Sequence, residues 1–269
     1  MDPASAVIAI AGIGLFAGLI GGLTGLGGSI IMLPGLALIV GFADETNVEQ
    51  HTYMAAGLAV NFMVAVPATW RHQRAGAIRA AIVIRLLPPA GIAMVAGVLL
   101  SNRLEPQLLI RMLAVMIAVF VVAGKVGDWA ARSSPEAPVD ETIRKRSGTL
   151  IATGTATGLL AGLLGIGGGI IMVAVLRAVG RLPVRIAIAA SSATMCLMVP
   201  IGAALKISTL GTHGLDPIDA IRLAGFMGPA AVLGSLVGSS LVHRLPRRAI
   251  RIVVDIVLLV AAARLGGLL

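Results

Sequence analysis

The chain has little of what water-soluble chemistry draws on. Of its 269 residues 12% are charged and 3% aromatic, with one cysteine, Cys196, one tyrosine and two tryptophans. A lone cysteine excludes an internal disulfide and any metal site built from several cysteines. Nucleic-acid binding is disfavoured despite a formal charge of +9, because no basic run is interleaved with rings on which bases would stack. Acids are scarce inside the apolar segments, so a carboxylate relay at mid-membrane has no residue to run it. Asp255, in the last apolar block, pairs more naturally with Arg251. No lysine or arginine precedes Arg71, so the basic leader of a secretory signal is missing. The first apolar segment is expected to be retained and to begin outside.

What the chain has in excess is apolar surface. It is 58% hydrophobic with a mean hydropathy of +1.00, whereas a soluble chain carries about 25% charge. A lipid bilayer is therefore its expected solvent. Apolar blocks run over residues 5–41, 53–70, 80–100 and 108–124, then 148–176, 186–205, 220–242 and 252–266. The run GLIGGLTGLGGSIIM from Gly18 to Met32 returns as GLLAGLLGIGGGIIM from Gly158 to Met172, ten of fifteen positions being identical at an offset of 140. Pro89 and Pro229 keep that offset, and Asn102-Arg103-Leu104 resembles His243-Arg244-Leu245. Such a doubling describes a transporter of two related halves. The expected organisation is a first transmembrane repeat over 1–124, a polar cytoplasmic linker over 125–147 and a second repeat over 148–269.

Basic residues test the relative orientation of the halves. Arg71–Arg85, Lys125–Arg146, Arg177–Arg185 and Arg244–Arg251 hold sixteen of the 21, and only Arg103, Arg111, Lys206, Arg222 and Arg264 fall on the other side. That bias obeys the positive-inside rule only if each glycine block crosses the membrane an even number of times. The fold class expected is thus an all-α polytopic membrane protein with two inverted repeats. Each repeat is a glycine-broken hairpin or helix pair followed by three transmembrane helices.

The breaks themselves are the candidate site. In hydrocarbon an unpaired backbone amide costs several kcal/mol, so an interrupted helix has to be covered by protein or line a water-filled cavity. Gly25, Gly27 and Gly28, with Gly165, Gly167, Gly168 and Gly169, allow positive φ and leave amides unobstructed. Helices beginning near Ser29 and Ile170 would aim free N–H groups and dipoles into that cavity, and an anion is the natural ligand. The outer glycines, Gly14, Gly18 and Gly22 with Gly154, Gly158 and Gly162, suit close helix packing as well. Asn61, and Ser191, Ser192 and Thr194, are polar residues within the second block of each half. With Pro67 set against Pro200, Asn61 opposes Thr194, and these side chains either line the cavity or bond their own helices. Cys196 reads better as a small core residue than as a reactive thiol. Arg85, Arg111 and Arg222 read as snorkelling side chains before anion guides. The histidines at 51, 72, 213 and 243 all lie in or beside predicted loops, which leaves an intramembrane enzyme without a nucleophile and base in reach.

At the doubled G-L-x-G-x-G-G pattern, with the basic loop ending in Gly76 and the counterpart His213-Gly214-Leu215-Asp216, the chain resembles the TauE/SafE family of membrane transporters. The resemblance implies carriage of a small anion, sulfite or an organosulfonate, across a bacterial cytoplasmic membrane. It points to Gly25, Gly27, Gly28, Gly165, Gly167 and Gly168, and no cofactor and no metal are expected. Ser29 stands where the second copy has Gly169, which makes the two breaks unequal. Alternating access is the expected mechanism and an anion channel the alternative. Direction, a coupling proton or ion, and assembly into a homo-oligomer stay open.

Overall fold

A computed structural model of the chain describes residues 3–24, 27–43, 45–133, 143 and 146–241. Among these residues all regular structure is helical. The helices are α1 (Pro3–Thr24), α2 (Ser29–Ile39), α3 (Gln50–Arg74), α4 (Ala80–Ser101), α5 (Pro106–Ser133), α6 (Ser147–Leu164), α7 (Gly169–Ala178), α8 (Val184–Ser208) and α9 (Pro217–Leu241), with a short 3-10 helix at Leu210–His213. Six of them, α1, α3, α4, α6, α8 and α9, are long and apolar enough to cross a membrane. The apolar block at 252–266 lies outside the described residues. Helix α5 runs on through Ser133, into the stretch read as linker.

Each glycine break is the tip of a hairpin. A Cβ at Gly28 would stand 3.0 Å from the Ala17 carbonyl oxygen, and one at Gly35 would stand 3.0 Å from Ile13. As α2 advances it meets earlier residues of α1, so the chain doubles back. In the second half Gly168 packs on Thr157 and Ala161 of α6 in the same way. The full stretch of either block is therefore two helical segments on one side of a turn.

The outer glycines hold the halves together. Gly14, Gly18 and Gly22 press on the backbone of Met227, Ala231 and Ser235 in α9. Gly154, Gly158 and Gly162 press likewise on Leu86, Ala90 and Met94 in α4. At Gly18 an added Cβ would fall 2.6 Å from the carbonyl carbon of Ala231, closer than any side chain tolerates. Residue numbers rise together along both contacts, so α1 lies parallel to α9 and α4 parallel to α6. The small-residue ladders thus do what they do in other membrane bundles, letting backbones touch where lipid offers no hydrophobic drive.

Helices α3 and α8 fill the centre and run antiparallel. At one end the Arg185 guanidinium donates to the Ala75 carbonyl at 2.8 Å, and at the other Lys206 reaches His51. Pro67 and Pro200 sit inside these two helices, as Pro89 and Pro229 sit inside α4 and α9. The polar residues Ser29, Asn61, Ser191 and Thr194 are fully buried, whereas Ile92 and Leu233 are 74% and 61% exposed. That distribution is the reverse of a soluble protein's and fits a lipid-facing belt.

Candidate functional site

The two glycine turns face the same pair of side chains. Gly27, at φ +81°, lies where an added Cβ would be 3.0 Å from Met195 Cε and 3.2 Å from Asn61 Oδ1. Gly167, at φ +69°, approaches the same groups from the other half: a Cβ there would be 3.3 Å from Met195 Cε and would collide with Asn61 Nδ2. Asn61 and Met195 are each the twelfth of 25 residues in α3 and α8. The breaks therefore converge halfway along the central pair of helices. Positive φ explains the sequence locally, because L side chains are strained in that region and glycine is not.

In the first half the amides are already occupied. Asn61 Oδ1 accepts from the N–H groups of Gly28 and Ser29 at 3.1 and 3.2 Å, and its Nδ2 donates to Ser29 Oγ at 2.6 Å. A carboxamide from α3 thereby caps α2, taking the role that an N-cap residue plays within its own helix. Gly28 itself is right-handed, at φ −91°.

The second half lacks that cap. Gly165, Gly167 and Gly168 are all left-handed, at φ +72°, +69° and +78°. Among the described residues nothing accepts a hydrogen bond from the N–H groups of Gly167, Gly168 or Gly169, and all three are buried. The residue placed to cap them is Met195, whose thioether is a poor acceptor. Ser191 Oγ donates instead to the Gly169 carbonyl at 3.2 Å. Beside Gly168 stands Thr157, fully buried with its Oγ1 unpartnered. Three amides are thus gathered at the positive end of α7 without acceptors among the described residues, and it is the Thr157 methyl, rather than its hydroxyl, that lies against Gly168.

The remaining candidates separate. Gly165 packs against Met54 of α3. Thr194 Oγ1 donates to Ala190 O at 2.8 Å, so it bonds its own helix. Ser192 is buried in α8, Cys196 is half-buried against the cluster around Leu58 and Met198, and Gly25 lies outside the described residues. Arg85 bonds Ser147 and the Ala81 carbonyl, and Arg222 pairs with Asp219 at 3.7 Å in solvent. Thr157 escaped notice in the sequence because it stands in a run of small ladder residues, where the first repeat has Ala17.

Comparison with known proteins agrees with this architecture. The chain is 24% identical over 277 residues to the probable membrane transporter protein MamO of Paramagnetospirillum magneticum, covering 91% of the chain and 42% of that protein. MamO of Magnetospirillum gryphiswaldense matches at the same identity and coverage. The chain thus spans less than half the length of these relatives. It is 28% identical over 206 residues to the probable membrane transporter protein MJ0441 of Methanocaldococcus jannaschii, covering 75% of the chain and 72% of that protein. No solved structure matches it. A family profile described as sulfite exporter TauE/SafE matches residues 10–265, so this chain, a multi-pass membrane protein, belongs to the TauE/SafE family.

Proposed function

We propose that the protein is a secondary transporter of a small anion, sulfite or an organosulfonate, working by alternating access between two inverted halves. One observation carries the reading: three successive buried amides, Gly167 to Gly169, with no acceptor among the described residues. Each such donor costs about 1–3 kcal/mol if left unmade, and successive N–H groups in left-handed turns form an anion-binding concavity. Thr157, whose buried hydroxyl is unpartnered, packs beside Gly168 through its methyl. An oxyanion supplies acceptors to all three amides at once. Asn61 serves a different part, holding the first break rigid and presenting no charge. The family description and the relatives' names support the class of cargo and of protein.

Inversion is supported by the antiparallel run of α3 and α8, since each is the first full helix after its hairpin. Rocking of one half on the other would then expose the shared midpoint to either side. Proteoliposomes loaded with labelled sulfite or an organosulfonate test the proposal. Saturable flux with counterflow is expected, abolished by Gly168→Val, whose side chain would enter Thr157 and be strained at φ +78°. Flux that rises in proportion to concentration would identify a pore, and no flux from folded protein across a broad anion panel would reject the reading.

A further inference from the structure

A second polar cluster lies at the far end of the same helices. Lys206 is fully buried near the end of α8, and its Nζ is 2.8 Å from His51 Nδ1, 2.8 Å from Ser101 Oγ and 2.7 Å from Asn102 Oδ1. Three acceptors match the three N–H donors of an ammonium. Ser101 is free to accept, because its own hydroxyl donates to Val98 O at 2.8 Å. Among the described residues no carboxylate lies within ion-pair distance of Lys206. A buried charge without a counter-ion costs several kcal/mol, and three neutral acceptors offset that only in part.

The geometry also sets the histidine. With Nδ1 accepting from Lys206, the neutral His51 ring carries its proton on Nε2. That Nε2 is buried without a partner, in a residue that is itself fully buried. His213, from the 3-10 helix, stacks on His51 with ring centroids 4.0 Å apart, and its Nε2 is unpartnered as well. Burial first, and then the Lys206 charge, lower the His213 pKa below its ordinary 6.5. The ammonium form of Lys206 and an imidazole donor therefore stand together, with no acceptor for the His51 Nε2 among the described residues. The cluster lies at the end opposite Arg185 and Ala75, away from the basic loops. It stands ten residues from Asn61 along α3, about 15 Å.

We propose that Lys206, His51 and His213 form a second anion-binding site, which takes a small oxyanion between the glycine breaks and the membrane face opposite the basic loops. Lys206 supplies the charge, the His51 Nε2–H a direct donor, and half-buried His213 the outer wall. The role on a transport path rests on the anion-carrier reading, whereas the binding itself does not.

The test uses the full chain in detergent, with sodium sulfate exchanged against sodium gluconate at constant ionic strength and the imidazole nitrogens followed by NMR. Sulfate is expected to shift the His51 and His213 resonances, assigned through His51→Gln and His213→Gln, and to raise the unfolding temperature. Lys206→Met should weaken the apparent affinity by about tenfold or more, while Gly168→Val should leave the imidazole shift in place. Unmoved imidazole resonances in the unsubstituted protein would overturn the proposal, even if Lys206→Met failed to fold. Saturable flux in a protein whose imidazoles ignore sulfate would overturn this site alone. An imidazole shift without any flux would keep the site and reject the carrier.

Discussion

Asn61 shows how one side chain decides what a break can do. Its oxygen holds the amides of Gly28 and Ser29, so the first turn has spent donors that the second still offers. Asn61→Asp preserves the size and both accepted bonds while placing a negative charge beside Gly167. The variant is expected to fold, with Ser29 donating to the carboxylate, and to lose anion transport by tenfold or more, because like charges at close range repel by about 4 kcal/mol at an intermediate dielectric. Flux assays on Asn61→Asp check this, and unaltered anion flux would remove Asn61 from the site. The polar residues of the two central helices were legible as a group, but their partners were not. Aligning Pro67 with Pro200 sets Asn61 against Thr194, yet the residue facing the same glycines is Met195. A shift of one position turns a helix by about 100°, which carries Thr194 off the site and back to its own carbonyl.

Hairpins and ladders divide the glycines by job. By sequence alone Gly14, Gly18, Gly22 and their second-half counterparts suit packing or ligand contact, and the parallel approach of α1 to α9 and α4 to α6 gives them to packing. Gly18→Val would drive a methyl-bearing carbon into the Ala231 carbonyl and separate the helices. A large loss of folded yield is expected, read by gel filtration in detergent. Gly12 is the control, since nothing lies within 4 Å of a Cβ placed there. Gly12→Ala should be tolerated and gain about 0.5–1 kcal/mol from reduced backbone freedom, visible as a slightly higher unfolding temperature. Equal damage from both would mean that α1 does not lie on α9. Glycine spacing announced that these elements pack closely, but it could not name the partner, because the contacts join residues 213 positions apart in one ladder and 68 in the other.

For the whole molecule the decisive property is the sense in which the halves run. With α3 antiparallel to α8, the loops after Arg74 and before Val184 share one face. Single cysteines at Arg79→Cys and Arg181→Cys, in a Cys196→Ser background, should react with an impermeant thiol reagent from the same side of sealed vesicles. Labelling from opposite sides would dismantle the inverted arrangement and alternating access with it.

Local chemistry was enough for the broad plan. Long apolar runs demand lipid and helices long enough to cross it, since hydropathy is a property of residues near one another in the chain. Packing decided the rest. Only when distant helices were brought together did one break turn out capped and the other open, and only then did Lys206, His51 and His213, three residues that lie at loops and span ends in the sequence, become one polar cluster.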